Sequence, residues 1–451
     1  MQSFQSVSTF QRLVVNFLPC FTQPSGESFL VLAAAWTLAV GPRTVANLVR
    51  TMGGGATKSY DAYQYFFSDA VWIIDEMFEI LFHLILVSGL ISQDALIELA
   101  GDDTLVHHSG RKIFGVGIFR DAVRSSKKHV AYATGHNWVI LCVIVAVPLC
   151  PDVFISLPIL ARLRPKALKK KGRKKSEEVS RTTTVDLLAA MAAQVSSWAP
   201  QRRFRLLADG AYASLVARLP ENFVLISRLR KDAALYASPP TRRSKRAGRP
   251  PKKGRRLPTP AQRAKTSRLS WQRTKVLLYG ERIEVLLYCY HSYWYDVCPD
   301  RPIKIVLVRD PNRKRDDEFF FSNDLSLSPQ AILQGYGRRW SQEVMHREAK
   351  QQMGIQDPQA RVRSAVERQA PFCLVLLSLV KLWYLTVGHR TDTLIRQRDA
   401  WYKHPEGIPF ITMLAALRFA GWRSWISDGL GLPSQHQKTL RPVLRLLARV
   451  S

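Results

Sequence analysis

The sequence predicts an α/β protein with more than one domain, and three observations carry that prediction. Its 451 residues are too many for one simple core, and 47% hydrophobic residues are ample for globular folding. The continuous apolar run HNWVILCVIVAVPL, residues 136–149, is typical of a buried strand, whereas residues 184–199 have the pattern of a helix packed on one side. The segment before about residue 95 reads as helical, so we expect a helical N-terminal domain.

The charge balance indicates a polyanionic partner. Lys and Arg number 66 against 35 Asp and Glu, a net charge of +31. A membrane protein is not expected, because the apolar run 29–40 is too short to span a bilayer and the run 71–91 is interrupted by Asp75, Glu76 and Glu79. The N-terminal sequence MQSFQSVSTF lacks a basic leader with a cleavage site, so we expect a cytoplasmic location.

The cysteines argue against a structural zinc site. No two of them form a close CxxC pair, and most lie inside apolar segments. They read as reduced core residues at positions 20, 142, 150, 289, 298 and 373.

The most informative pattern lies in YGRRWSQEVMHREAK, where Tyr336, Arg339, Glu343 and Lys350 stand at offsets 0, +3, +7 and +14. At roughly 100° per residue these positions fall on one stripe of a helix. A cap-and-proline start and a glycine stop predict one helix over residues 328–354. The stripe unites a carboxylate, two cations and a phenol, a mixture that suits a metal and a phosphate.

The spacing Tyr, two residues, Arg, three residues, Glu, six residues, Lys resembles the signature of a group of bacterial insertion-sequence transposases with a DDE catalytic triad. The resemblance extends over about residues 96–390 and implies a ribonuclease H-like catalytic core. The predicted order of three strands, a helix, a fourth strand and a later carboxylate-bearing helix is similar to that fold.

The resemblance also implies two aspartates upstream, on strands. An acidic doublet precedes Thr104 in a strand-like region, and the family carries an aspartate shortly before a threonine or serine on its first strand, which favours Asp102 over its neighbour Asp103. Adjacent strand residues point to opposite faces, so the sequence leaves both open. The second candidate, Asp209, ends the short strand 204–208 at the sheet edge where α/β folds bind ligands.

More than 130 residues separate Asp209 from Glu343, which indicates an inserted subdomain. Its first part, residues 239–268, is a run rich in Arg, Lys, Pro and Gly that we expect to attract phosphates without sequence preference. The part that follows reads as antiparallel strands rich in β-branched and aromatic residues.

By resemblance, the acids are expected to hold two Mg²⁺ ions, with Mn²⁺ as a substitute. Two such ions activate the attacking oxygen, stabilise the leaving oxygen and neutralise charge on phosphorus. Their ligands are expected to be Asp102, Asp209 and Glu343.

The three other stripe residues are expected to contact phosphates at the transposon end, again by resemblance: Tyr336, Arg339 and Lys350. The expected partners are double-stranded DNA, as transposon ends and as target, and a second copy of the chain in a paired-end complex, located at the bacterial nucleoid.

The organisation expected from these features has five parts. Residues 1–95 form a helical domain that recognises DNA ends, and residues 96–225 form the first part of the catalytic domain. The basic linker and β-rich insertion span 226–325, the second catalytic part with the Glu helix spans 326–395, and a basic, helical region spans 396–451.

The predicted function is that of a transposase that cleaves the ends of its element and joins the 3′-hydroxyls to target DNA. Two alternatives remain at this point. One is a DNA-binding protein derived from a transposase that has lost catalysis, and the other is a metal-dependent DNA nuclease without strand transfer.

Overall fold

The structure is a computed structural model that describes residues 4–430, apart from 111, 127–128, 149, 165–181, 240–252, 267–268, 279–280 and 391–407. Half of the basic run at 239–268 and all of the basic tail at 441–450 lie outside the described residues. The chain divides into two compact units, which are described separately. The first unit comprises Met1–Gln93, Asp103–Thr182 and Val344–Ser451, and the second comprises Asp94–Asp102 and Thr183–Glu343.

The described chain contains both helices and strands, in successive runs of each kind, which confirms the mixed α/β class. In chain order the α-helices are α1 (Phe4–Val15), α2 (Gln23–Leu38), α3 (Val45–Met52), α4 (Tyr60–Ser68), α5 (Ile74–Val87), α6 (Thr184–Trp198), α7 (Pro260–Ala264), α8 (Pro329–Arg338), α9 (Trp340–Gln351), α10 (Arg363–Thr386) and α11 (Phe410–Leu430). The strands are β1 (Ile97–His107), β2 (Gly117–Arg120), β3 (Tyr132–Val147), β4 (Cys150–Arg164), β5 (Phe204–Ala208), β6 (Phe223–Arg228), β7 (Gln272–Leu278), β8 (Glu281–Trp294), β9 (Cys298–Arg309) and β10 (Glu318–Ser322).

The core of the first unit is built around α10, which contacts α1, α2, α4, α5, α11 and β4. Phe372 of α10 meets Phe29, Trp36 and Phe67 edge-on, at centroid distances of 5.4 to 6.0 Å. This helix is long and apolar enough to cross a membrane, but 94% of its most apolar stretch is buried inside the structure. Its composition is therefore that of a core helix, which gains stability by removing apolar surface from water.

The sheet of the first unit contains one more strand than the sequence predicts. β3 pairs antiparallel with β2 and, further along, with β4, from Asn137↔Arg164 to Val147↔Cys150. The sequence pattern predicts three strands before α6, and β4 is not among them. Pro151 and Pro158 lie within β4, and proline, which cannot donate to a ladder, argues against a strand when only the sequence is read.

The sheet of the second unit has the order β1-β5-β6-β10-β9-β8-β7. β1, β5 and β6 run parallel to one another. From β6 onward, through β10, β9 and β8 to β7, each strand is antiparallel to the next. β7 to β9 therefore extend the sheet as a meander, while α8 packs on its strands.

The prediction of one continuous helix over residues 328–354 is wrong. Ser328 does cap a helix, by accepting the N–H of Ala331, but this helix, α8, ends at Arg338. The hydrogen bonds around the junction span three residues, from the N–H of Arg339 to the carbonyl of Tyr336 and from Gln342 to Arg339. Such bonds tighten the backbone relative to an α-helix and separate α8 from α9.

Candidate active site

Asp102 and Asp209 lie next to each other because their strands are parallel neighbours in register. The pairing of β1 with β5 runs from Ile97↔Phe204 to Gly101↔Ala208, and an aspartate directly follows the last paired residue on each side. Neighbouring strands lie about 4.8 Å apart. Two residues far apart in sequence are thereby brought to the same level at the carboxyl end of the paired segment.

The carboxylate of Asp209 is directed to a side chain rather than to the backbone. Asp209 precedes a short 3₁₀ helix, but its side chain makes no capping hydrogen bond to it. Its Oδ1 instead accepts a hydrogen bond from the phenol of Tyr336, at 3.1 Å. A turn or cap function, the ordinary role of such an aspartate, therefore does not account for this carboxylate.

Tyr336 is held in place by the packing of α8 on the sheet. The preceding Gly335 lets the helix approach closely, since a Cβ there would lie 3.0 Å from Cδ1 of Ile226. The ring of Tyr336 is 7% exposed and lies 4.8 Å from that of Phe320. Burial is the largest influence on the phenol and raises its pKa, so Tyr336 is a protonated donor toward Asp209 at neutral pH.

Arg339 links the other two acids. Its Nη1 donates to Oδ2 of Asp102 at 2.9 Å, and its Nη2 donates to Oε1 of Glu343 at 2.6 Å. The guanidinium carbon also lies 5.4 Å from the ring centre of Tyr336. Arg339 and Tyr336 together therefore contact all three predicted acids, Asp102, Asp209 and Glu343.

The site is partly enclosed, with Arg339 as its most buried charged side chain. Side-chain exposures are 12% for Arg339, 21% for Asp102 and 36% for Glu343. Burial acts to lower the pKa of Arg339, but its charge interactions with Tyr336, Asp102 and Glu343 outweigh burial and raise it. Its buried Nε–H has no hydrogen-bond acceptor within the described part of the chain, so one donor of the guanidinium remains available.

A second ion-pair network, which sequence reasoning missed, lies beside the site. Glu98 accepts from Arg205 at 2.8 Å and from Arg338 at 2.7 Å, and its side chain is 11% exposed. These bonds fix the end of α8 directly before Arg339. A period of two along β1 places Glu98 on the same face as Asp102, and this alternation could have revealed it.

A cavity of about 1030 Å³ opens beside the site within the second unit and is lined in part by Tyr336, Arg339, Trp340 and Glu343. Trp340 is 50% exposed and presents its indole to the cavity. The cavity carries charges of both signs, including Arg228, which is paired with Glu318.

Two predicted residues belong to the first unit and not to this cluster. Asp103, the alternative first aspartate, follows Asp102 on β1, where successive side chains point to opposite faces. Lys350 lies near the end of α9, where burial lowers its pKa and the charge of Asp121 acts in the opposite direction. Glu348, the nearest other acid on α9, is paired with Lys381 of α10 at 2.6 Å.

The donor chemistry of the cluster fits a divalent metal ion, since three carboxylates offer the oxygen ligands that Mg²⁺ and Mn²⁺ prefer. Their present arrangement is not that of a formed metal site. Among the described residues, no three His, Cys, Asp or Glu side chains are placed to hold an ion. Arg339 accounts for this, because its guanidinium binds Asp102 and Glu343 at once.

Two known families are similar to parts of the chain that carry the three acids. A model described as DDE superfamily endonuclease matches residues 16–279, which is more than half of the chain and includes Asp102 and Asp209. The chain belongs to the DDE superfamily endonucleases. Residues 271–387 of this DDE enzyme, which include Glu343, are similar to the archaeal putative transposase family ISC1217. No curated protein matches the chain.

Membership defines the class of chemistry. The DDE superfamily comprises enzymes that cleave nucleic acids, and the two matches together imply a DNA substrate and transposase or nuclease activity. Enzymes of this superfamily generally use divalent metal ions. The basic composition is consistent with such a substrate, since each phosphate neutralised by Lys or Arg releases counterions.

Proposed function

We propose that this DDE enzyme is a transposase that cuts the ends of an insertion sequence and joins the freed 3′-hydroxyls to target DNA. Its catalytic core is then ribonuclease H-like, and its Tyr336–Arg339–Glu343–Lys350 pattern assigns it to the group with that signature helix. The similarity to archaeal transposases over residues 271–387 supports the transposase function over general nuclease activity.

The observation that carries the proposal is the convergence of three acids from distant parts of the chain. Asp102 and Asp209 directly follow the last paired residues of two parallel strands, and Glu343 is linked to Asp102 through Arg339. Acids whose only role is to make a protein soluble are exposed and separate, whereas two of these acids bind the same buried cation, Arg339. The arrangement also favours Asp102 over Asp103 as the first catalytic acid.

In the proposed reaction, Asp102, Asp209 and Glu343 hold the divalent ions, which supply charge stabilisation at the scissile phosphate when bound. Tyr336 keeps a proton on its phenol and orients the carboxylate of Asp209. The neighbouring pair between Arg338 and Glu98 holds the α8 end that carries these residues.

Arg339 is the residue proposed to bind the DNA backbone at this site. A guanidinium can grip a phosphate with two parallel hydrogen bonds, and the Nε–H of Arg339 is a buried donor without an acceptor in the described chain. A phosphate offers acceptors in place of the two carboxylates. Arg339 would then transfer its bonds from the acids to the DNA. The phosphate contact expected of Lys350 belongs to the first unit and is proposed separately.

Transposition requires two element ends to be held together, so we propose that the active form is at least a homodimer. Short inverted repeats that flank the coding region, with direct duplications outside them, would mark the substrate ends. DNA that carries these repeats is the substrate for the decisive experiment.

The test is an assay with purified enzyme, Mg²⁺ and end-labelled repeat DNA, in which we expect nicking followed by joining to a target plasmid. Glu343→Gln should bind the DNA but neither cut nor join it. Glu221→Gln is the matched control, because it makes the same change in an exposed carboxylate of the turn before β6 and should retain activity. Full strand transfer by Glu343→Gln would show that the active site is assigned wrongly.

The same assay distinguishes a transposase from the second candidate function, a metal-dependent DNA nuclease. The description of the matching family as an endonuclease favours this second candidate. A nuclease would release cut ends without joined products and would cut duplexes that lack the repeats. A chain that binds repeat DNA but cuts nothing at any metal concentration would instead be a DNA-binding derivative.

A further inference from the structure

The first unit contains a groove lined by histidine and basic side chains, which we call the histidine groove. Its walls are the end of β1, the connection from β2 to β3, and the segment 356–361. The groove has a volume of about 1110 Å³, far more than a single hydrated ion requires. Its lining includes His107, His108 and, as exposed cations, Lys112, Arg124 and Arg361.

The cations that line this groove outnumber the acids in and directly behind its lining. The one carboxylate among the lining residues, Asp357, accepts the backbone N–H of Arg43 at 2.7 Å. Behind the lining, Asp121 is 3% exposed and accepts the N–H groups of Val123 and Arg124 at 3.0 and 3.2 Å. Its other oxygen lies 3.1 Å from Nε2 of His107. The same oxygen lies 3.6 Å from Nε of Arg124, so three cations stand against two acids, one of which is paired with Arg124.

The cationic walls are fixed to each other by backbone contacts. The N–H of Phe114 donates to the carbonyl of Arg361 at 2.9 Å, and the carbonyl of Phe114 lies 2.8 Å from Nε2 of His136. The ring of His136 in turn lies 4.6 Å from that of His108. Arg361 and the loop after β1 are thus held in one arrangement before any ligand arrives, which reduces the entropic cost of binding.

We propose that the histidine groove binds the sugar-phosphate backbone of double-stranded DNA, as a contact separate from the carboxylate site. Several cations spaced along a groove, with neutral hydrogen-bond donors such as Tyr132 between them, match a row of phosphates better than a single small anion. The lining is mainly polar, with Ile113, Ala133 and Pro358 as its aliphatic side chains, so we expect contact with the backbone and no dependence on sequence. This inference rests on the proposed function and adds to it a site that holds the duplex.

The test compares two variants that each remove three positive charges from the first unit. The groove variant is Lys112→Gln/Arg124→Gln/Arg361→Gln, and the matched control replaces three exposed arginines outside the groove, Arg12, Arg50 and Arg390, with Gln. Binding of a short fluorescein-labelled duplex of arbitrary sequence is measured by anisotropy over a range of salt concentrations. Circular dichroism melts confirm that both variants fold.

We expect the groove variant to bind at least tenfold more weakly than the unsubstituted chain at low salt. The slope of log K against log salt should fall in magnitude by about 0.9 for each phosphate that the variant no longer neutralises, hence by roughly 2 to 3. The control should change the slope by less than about 0.9, the value for one phosphate. Equal decreases in the two variants would overturn the proposal, because only net charge would then matter.

Two further outcomes separate this inference from the proposed function. A duplex RNA of the same length that competes better than the DNA would overturn the groove proposal by showing that it selects another nucleic acid. Glu343→Gln should bind the duplex with an unchanged salt slope. If no chain cleaves repeat DNA but the groove variant still shows the reduced slope, the proposed function fails and the groove assignment stands.

Discussion

The bonds of Arg339 predict that this residue competes with metal ions for the acids when DNA is absent. Its guanidinium occupies Asp102 at 2.9 Å and Glu343 at 2.6 Å, so an ion can enter only after those bonds break. Arg339→Gln removes the cation but retains an amide donor of moderate size. We expect the variant to bind Mn²⁺ more tightly in the absence of DNA.

The magnitude follows from the number and exposure of the bonds. A hydrogen bond to a charged group contributes about 1.5 to 3 kcal/mol, and solvent reduces that value where the partners are exposed. Because Asp102 and Glu343 are 21% and 36% exposed, we discount the two bonds together to a net competition of ~1.4 kcal/mol, which corresponds to about a tenfold gain in Mn²⁺ affinity.

The assay is isothermal titration of the free protein with MnCl₂, supported by the electron paramagnetic resonance signal of unbound Mn²⁺. Arg338→Gln is the matched control, since Arg338 is the preceding residue and is paired with a carboxylate outside the triad, Glu98. The added substitution Glu343→Gln should abolish the gain. An unchanged Mn²⁺ affinity in Arg339→Gln, or an equal gain in Arg338→Gln, would refute the competition.

Three further predictions concern stability. Tyr336→Phe removes the phenol donor of Asp209 and should lower the free energy of unfolding by about 1 kcal/mol in urea titrations, whereas no change would mean that the 3.1 Å bond contributes nothing. Burial lowers the pKa of His108 from 6.5 to about 4, so as the pH falls the unfolded chain takes up a proton at this histidine before the folded chain does. The free energy of unfolding should therefore decrease from pH 6.5 toward pH 4, by less than about 3 kcal/mol after solvent screening. His108→Asn should flatten this pH dependence. Lys381→Met leaves buried Glu348 without its cation and should cost about 3 to 5 kcal/mol in chemical denaturation, most of which Lys381→Met/Glu348→Gln should recover.

The part of the site that lies on strands could be predicted from the sequence. Asp209 follows a five-residue apolar strand and precedes glycine, and such a residue falls at the edge where parallel strands present ligands. The doublet Asp102–Asp103 could be located in the same way. The sequence could not show which of the two is the first catalytic acid, because that depends on which face of β1 each side chain occupies. The register of β1 with β5 puts Asp102 level with Asp209. The pairing register of two strands that are distant in the chain cannot be predicted from the sequence of either strand alone.

The part that lies on helices was predicted less well. Spacing alone placed Tyr336, Arg339, Glu343 and Lys350 on one stripe, a placement that assumes an unbroken α-helix. The helix divides at Arg339, and Gly335 and Gly337 in the last turn of α8 are the signal in the sequence that weakens it there. The guanidinium of Arg339 bonds to Asp102 on β1, so a tertiary contact that the sequence does not show is present where the helix breaks.

The bonds of Arg339 and Tyr336 to the three acids offer the proposed enzyme a way to avoid cutting DNA indiscriminately. Three acids held close together repel one another, and in the free protein that repulsion is offset by Arg339 on two of them and by the phenol of Tyr336 on the third. Of these two side chains, Arg339 is the proposed phosphate ligand. A phosphate that takes the bonds of Arg339 therefore leaves Asp102 and Glu343 with uncompensated charge, which raises their affinity for divalent cations. Metal and DNA would then bind with positive cooperativity, and linkage requires that Mn²⁺ increase the affinity for DNA by the same factor by which DNA increases the affinity for Mn²⁺.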